Sequence, residues 1–301
     1  MRKKWLAIGL SVGISGALVW GIGVSASAEN AGLEVYKSAL NQTKEAKSMT
    51  ANAHLELTDN GTKLLTLDGV AKVNHDEKMA SLEATYTGAK GEGSLQAFRE
   101  PDQVIVKKGD SDIYQVMETM DWGHKFSKNS EDRPPAMVNH LFKPLFGNMD
   151  KWTTVENLPD GRKRASLELS EEQMPAFVKV MGPTLYSKLT ERSQAAAASE
   201  KGIAVKLPNL EEHFQVDQIL LQATIDEQNR IERQAAEVHV SGVDASGEQH
   251  ALLLSLDIRL SDLAATTPDS IDLTGKQVEK ISREEMKSRW KKDGWNQPVS
   301  Q

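Results

Sequence analysis

Five large aliphatic side chains at every second position, Leu252, Leu254, Leu256, Ile258 and Leu260, constrain this chain more than any other feature. Successive side chains of a strand point to opposite faces, so a period of two held over nine residues predicts a strand with one buried face. It is the last of three predicted strands, at 214–226, 230–241 and 248–260. A sheet face this apolar must be covered by other parts of the chain.

Residues 30–47 place Leu33, Tyr36, Leu40 and Thr43 on one side and Glu34, Lys37, Lys44 and Glu45 largely elsewhere, an amphipathic helix. Met49, Ala51, Ala53, Leu55 and Leu57 then alternate with polar residues, and Leu65, Leu67, Gly69, Ala71 and Val73 do the same after a turn. A slip of one residue would put an apolar set on the wrong face. The expected register therefore pairs Leu57 with Leu65, Leu55 with Leu67 and Met49 with Val73, through a three-residue loop of Asn60, Gly61 and Thr62. The usual two-residue Asn-Gly turn would instead pair Leu55 with Thr66. Four more strands, at 78–87, 94–99, 103–107 and 112–117, follow at hairpin spacing with Gly, Pro and Asp between them. Together they make an up-and-down antiparallel meander.

The texture changes at 118–150, where Met120, Trp122, Phe126, Met137, Leu141, Phe142, Leu145, Phe146 and Met149 crowd together with little strand pattern. Pro134 and Pro135 suit a helix start and Pro144 its end. A segment so apolar is expected to lie across the sheet, either lining a ligand cavity or filling a core. A hairpin at 152–169 follows, then Ser170 and Gln173 as a capping box. Gly182-Pro183 is expected to kink or break the helical region into two. Helix and then meander thus occurs twice, at 30–117 and 170–260. After Leu263 a polar loop through Ser270 and a last short basic helix from Ser282 are expected.

Residues 1–28 stand apart. Arg2, Lys3 and Lys4 precede an uncharged run at 5–24, and Ala26-Ser27-Ala28 is a small-x-small site. This is the pattern of a secretory signal peptide cleaved after Ala28, with an uncleaved anchor at 5–24 as the alternative. The expected organisation is this leader, a single sheet domain at 29–270 and a polar tail at 271–301. Removing the leader's basic residues takes the formal charge from -7 to -10, which argues against non-specific nucleic-acid binding. With no cysteine, the exported chain has no disulfide, thiolate ligand or lipid-modified cysteine and must be held by its core.

Chemistry is hard to place. Among seven histidines the nearest approach is His239 with His250 across a hairpin. A three-residue loop of Asp244, Ala245 and Ser246 would set Val238 opposite Leu252 and Val240 opposite His250, with His239 on the other face, so no shared metal site is expected. There is no G-x-S-x-G elbow and no Ser, His and Asp grouping, so no enzyme activity, cofactor or metal is expected. The tail carries an excess of positive charge over 276–292 that suits either a solvated helix face or contact with an anionic membrane or wall polymer.

The leader, a helix reading Leu33-Glu-Val-Tyr-Lys-Ser-Ala-Leu-Asn-Gln-Thr, the long meander, a middle helical segment and a late Ile225-Asp-Glu-Gln-Asn-Arg-Ile231 hairpin together resemble the exported LolA/LolB/LppX-like proteins. The resemblance spans most of 30–260 and rests on pattern, without a diagnostic motif. It implies an α+β fold, mostly antiparallel β, with a curved half-barrel sheet and helices covering its concave face. It also implies an extracytoplasmic carrier of lipid or lipoprotein and no catalytic residues. The expected function is a non-enzymatic binding protein holding an apolar ligand, a lipid or a lipoprotein segment between sheet and helices. Its candidate contacts are Trp122, Phe126, Met137, Leu141, Phe142, Leu145, Phe146, Leu252, Leu254, Leu256 and Ile258. The alternative is a structural or regulatory envelope protein whose hollow its own side chains fill.

Overall fold

In a computed structural model the described residues are 31–109, 111–118, 152–198, 205–282 and 285. Helix α1 (Ala31–Glu45) leads into six strands, β1 (Ser48–Asp59), β2 (Thr62–Asn74), β3 (Met79–Gly88), β4 (Gly91–Arg99), β5 (Gln103–Lys108) and β6 (Ile113–Glu118). Then come β7 (Thr153–Asn157), β8 (Lys163–Ser170), helix α2 (Ala176–Ala198), β9 (Leu210–Ile225), β10 (Ile231–Asp244), β11 (Gln249–Ser261) and β12 (Gln277–Ile281). All twelve strands form one open curved sheet in the order β12-β6-β5-β4-β3-β2-β1-β11-β10-β9-β8-β7. The fold is α+β and mostly antiparallel, as the patterning requires.

The two meanders meet where β1 pairs with β11, so 210–261 lies inside the sheet. The polar tail also differs from expectation. Residues 277–281 form β12, which runs parallel to β6 at the edge, so the sheet continues past Ser270. A parallel neighbour needs a crossover, and the chain from Asp262 supplies it. Ile271 and Leu273 pack on Phe98, Ile105, Tyr114 and Val116, residues that share the sheet face of Lys72 and Ser81 by register. Asp269 fastens the same crossover by accepting bonds from Lys72 Nζ at 2.9 Å and Ser81 Oγ at 3.1 Å. Glu285 completes the capping box with Ser282, whose backbone N–H donates to Glu285 Oε2 at 3.1 Å.

The β1–β2 register has the expected partners, with Leu57 opposite Leu65 and Met49 opposite Val73. The loop is different. Asp59 faces Thr62 across a two-residue Asn60-Gly61 turn, both residues having the positive φ that such hairpins need (48° and 77°). A bulge between Leu57 and Thr58 on one strand and Lys63 and Leu65 on the other restores the parity, leaving Leu64 as the extra residue. At the β10–β11 turn the loop is Ala245, Ser246 and Gly247, with Asp244 N–H donating to Glu248 O at 3.0 Å. Val238 therefore faces Leu254 and Val240 faces Leu252, two residues away from the expected pairing but with the same faces.

The expected break at Gly182 is absent, since α2 runs through Pro183. Pro183 lies in the second helical turn from Ala176, where its missing N–H removes one intrahelical bond. Ser170 and Gln173 form their reciprocal contacts, but as a turn after β8; the helix starts beyond Pro175. Helix α1 packs across β7, β8, β9 and β10, and α2 across β9. Tyr36, Ala39 and Leu40 of α1 bury Ala51, Ala53, Ala165, Ala223, Ile225, Ile231, Ile258 and Leu260 in the main core. Each large side chain so buried contributes about 1.5–3 kcal/mol before entropy is counted.

Candidate functional site

One face of the central strands carries the apolar stripe. The even residues of β11 share it with the odd residues of β1 and the even residues of β10: Ala53 and Gln234 flank Ile258, Leu55 and Ala236 flank Leu256, and Leu57 and Val238 flank Leu254. The cover over this stripe is uneven. Ile258 is 1% exposed beneath α1, and Leu252 is 5% exposed at the far end. Between them Leu254 is 38% exposed and Leu256, Leu55, Leu57, Leu65 and Val238 are half-buried. Such a step from core to partly open apolar surface on one strand is the observation that marks the candidate site.

Of the sequence-expected contacts, Leu252, Leu254, Leu256 and Ile258 therefore lie in line on one face. Leu254 is exposed there, Leu256 is half-buried at the margin of the core under α1, and Ile258 belongs to that core. Trp122, Phe126, Met137, Leu141, Phe142, Leu145 and Phe146 lie outside the described residues. Leu55, Leu57, Leu65 and Val238 join the patch through the register, a signal that the alternation carries once the strand neighbours are known.

Helix α2 borders the far end. Tyr186 donates to Pro208 O at 2.8 Å and meets the Phe214 ring with centroids 5.4 Å apart. Burial pushes the Tyr186 hydroxyl up to about 12. On other sides of the helix Val180, Leu185 and Leu189 are exposed, the last two one turn apart. Under α1 a cavity of about 20 Å³ remains between Leu33, Tyr36, Ala165, Leu167, Leu221 and Ala223. That is room for about one water molecule. Tyr36 accepts a hydrogen bond from Gln234 Nε2 at 2.8 Å, and its burial raises its pKa despite that bond.

The two histidines of the β10–β11 hairpin lie on opposite faces, as the parity requires. His239 faces Leu253 and lines an open depression of about 340 Å³ with Ser170, Asp217, Gln218 and Leu253. His250 faces Gly242 at the end of the apolar face. There Asp59 Oδ2 is 2.7 Å from His250 Nδ1, and Asp244 Oδ2 is 3.5 Å from Nε2. Burial works against a charged imidazole, yet the hydrogen bond and charge of Asp59, with Asp244 and Glu248 beside it, raise the His250 pKa overall. The Asp244 carboxylate is held down at about 2 by hydrogen bonds from the Ser246 hydroxyl and the Glu248 and Ser246 backbone. No sequence signal joins Asp59 to His250, because 191 residues separate them. Within the basic tail, Lys276 stacks over the Tyr114 ring at 5.2 Å and Lys280 lies in β12.

Fold and site thus define an open antiparallel-sheet protein with an apolar, helix-bearing face. No protein-family model and no curated protein matches the sequence. Solved structures to which the chain is similar include an uncharacterized conserved protein from Thermus thermophilus, at 8% identity and a TM-score of 0.28, covering 83% of this chain and 98% of that one. A LolA superfamily protein from Nitrosomonas europaea is similar at 9% identity and a TM-score of 0.21, covering 82% and 97%. A β-barrel-like protein with a domain of unknown function from Brucella abortus is similar at 9% identity and 0.18, covering 71% and 97%. A LolA superfamily protein thus stands among the structural neighbours, but at these TM-scores the strand order, and not the likeness, carries the fold.

Proposed function

We propose that this is an exported, non-enzymatic binding protein that holds an apolar ligand, of the lipid class, against the middle of the β1–β11 ladder. The observation that carries the reading is the 38% exposure of Leu254 within a stripe whose ends are closed. Leu55, Leu57, Leu65, Leu256 and Val238 surround it with aliphatic surface. Apolar area left open in this way gains about 25 cal/mol per Å² when a ligand covers it. Export rests on the signal-like residues 5–28, and a start other than Glu29 in the mature protein would contradict the cleavage site.

A second reading is favoured by the close packing beneath α1, where the cavity has room for about one water molecule. On it the protein is an envelope interaction module with a core filled by its own side chains. Native mass spectrometry and lipid extraction of the purified mature protein separate the two. The carrier reading expects a lipid-sized adduct that is diminished in Leu254→Lys, and repeated recovery of the empty wild-type chain favours the module.

A further inference from the structure

The turn between β10 and β11 carries a constellation that the apolar reading does not use. We propose that Asp244, Glu248 and His250 bind one divalent transition-metal ion of the zinc class, with Asp59 bracing the imidazole from behind. One ligand atom from each of the three residues lies within 4.8 Å of the others.

The case begins with His250, whose side chain is only 9% exposed. Its Nδ1 sits 2.7 Å from Asp59 Oδ2. A carboxylate can only accept, so Nδ1 carries a proton, and an ion bound at Nε2 would take the place of any proton there, the carboxylate–histidine arrangement found behind many metal ligands. Nε2 is itself buried and has no hydrogen-bond partner. A buried polar nitrogen left that way is costly unless something occupies it.

Asp244 Oδ2 is 3.5 Å from Nε2, too long for a good hydrogen bond. It is the right spacing for two ligands of one ion, since bonds of ~2.0–2.1 Å in tetrahedral geometry set donor atoms ~3.4 Å apart. Asp244 is held in this pose through its other oxygen. Oδ1 accepts from Ser246 N–H at 2.8 Å, Ser246 Oγ at 2.7 Å and Glu248 N–H at 2.9 Å, which leaves Oδ2 turned toward His250. The turn is also tied to the neighbouring hairpin, with Asn60 Nδ2 donating to Gln249 O at 2.8 Å and Asn60 Oδ1 accepting from Ala251 N–H at 3.0 Å. Glu248 is exposed and offers the third ligand oxygen, with water as the fourth. One imidazole and two carboxylates suit zinc or manganese better than soft-ligand copper(I), and a nitrogen ligand disfavours magnesium.

The test uses the full exported chain, stripped of metal with chelator and titrated calorimetrically with Zn²⁺ and, in parallel, Mg²⁺. One Zn²⁺ per chain is expected, with no Mg²⁺ binding at the same concentrations. Glu248→Gln, on the exposed turn, and His250→Gln are each expected to weaken Zn²⁺ binding on the order of tenfold or more, Asp59→Asn on the order of tenfold, and His239→Gln not at all. Circular dichroism checks that His250→Gln is folded; if it is not, Glu248→Gln decides alone. X-ray absorption of the zinc-loaded protein is expected to show one imidazole among oxygen donors. No Zn²⁺ binding, or binding that survives Glu248→Gln unchanged, overturns the proposal, the latter outcome marking an adventitious ion only.

Discussion

Ile258 and Leu260 of β11 lie with Ala51 and Ala53 of β1 beneath helix α1, whereas Leu254 and Leu256, a few residues back on the same strand and face, lie opposite Leu57 and Leu55 and stay partly open. The two regions share strands, periodicity and residue types. They differ in what packs on them. α1 brings Tyr36, Ala39 and Leu40 onto one end of the ladder, with Leu256 packed at the margin of that cluster and Leu254 beyond it. The difference teaches that alternation specifies a face that wants to be buried, while the covering element decides which part of that face is core and which part stays open.

The largest expected effect separates the two regions directly. Ile258→Ala removes a side chain that is 1% exposed and should cost about 2–5 kcal/mol, through lost transfer energy and the cavity left behind. Leu254→Ala should cost about 1 kcal/mol or less. Urea denaturation of both variants checks this, and equal losses would erase the distinction between core and open stripe.

A smaller effect tests what fastens α1. The buried Thr43 hydroxyl donates to Ala39 O at 2.7 Å and accepts from the Ile231 backbone N–H at 2.7 Å, joining helix to β10. Thr43→Val leaves that N–H unpaired and should cost about 1–3 kcal/mol. Hydrogen exchange should then show the Ile231 amide losing protection, while the amides of Leu254 and Leu256 keep theirs. Loss of protection at all three would mean that the two regions open as one unit.

Much of this was readable from residue order, and the reasons are local. The alternation in β1, β2 and β11 gives faces and register, and the amphipathic spacing of Leu33, Tyr36, Leu40 and Thr43 gives α1 its buried side. Turn geometry was less legible, because a bulge at Leu64 and a three-residue loop each restore the same parity. β12 was missed because Gln277, Val278, Glu279, Lys280 and Ile281 carry little apolar pattern, and the strand is held by pairing with β6. α2 continues through Pro183, which reads locally as a breaker. Of the candidate site, the stripe was legible as a face, but its uneven cover depends on where α1 lands. The His250 cluster depends on β1 lying beside β11, which no local pattern encodes.

The smallest effect concerns the opposite face, where the crossover is tied by Asp269. Lys72 holds its carboxyl below the usual range, opposed by partial burial and helped by Ser81. A carboxylate lowered on folding stabilises above its unfolded pKa of about 3.9, and that stabilisation is lost as pH falls through the lower folded value. Half-exposed as it is, the group should contribute about 0.5 kcal/mol or less. Asp269→Asn should therefore flatten the stability profile slightly below about pH 4. An unchanged slope there would show that the crossover does not depend on this contact.

The central claim is that the middle of the ladder is a binding surface and its α1 end is core. Equilibrium titration of the purified protein with an environment-sensitive apolar fluorophore, competed with a long-chain fatty acid, tests it most directly. Saturable binding that the fatty acid displaces, weakened on the order of tenfold by Leu254→Lys as one desolvated charge replaces apolar contact, is the predicted result. Binding that is absent, or unchanged by Leu254→Lys in a folded protein, would contradict it.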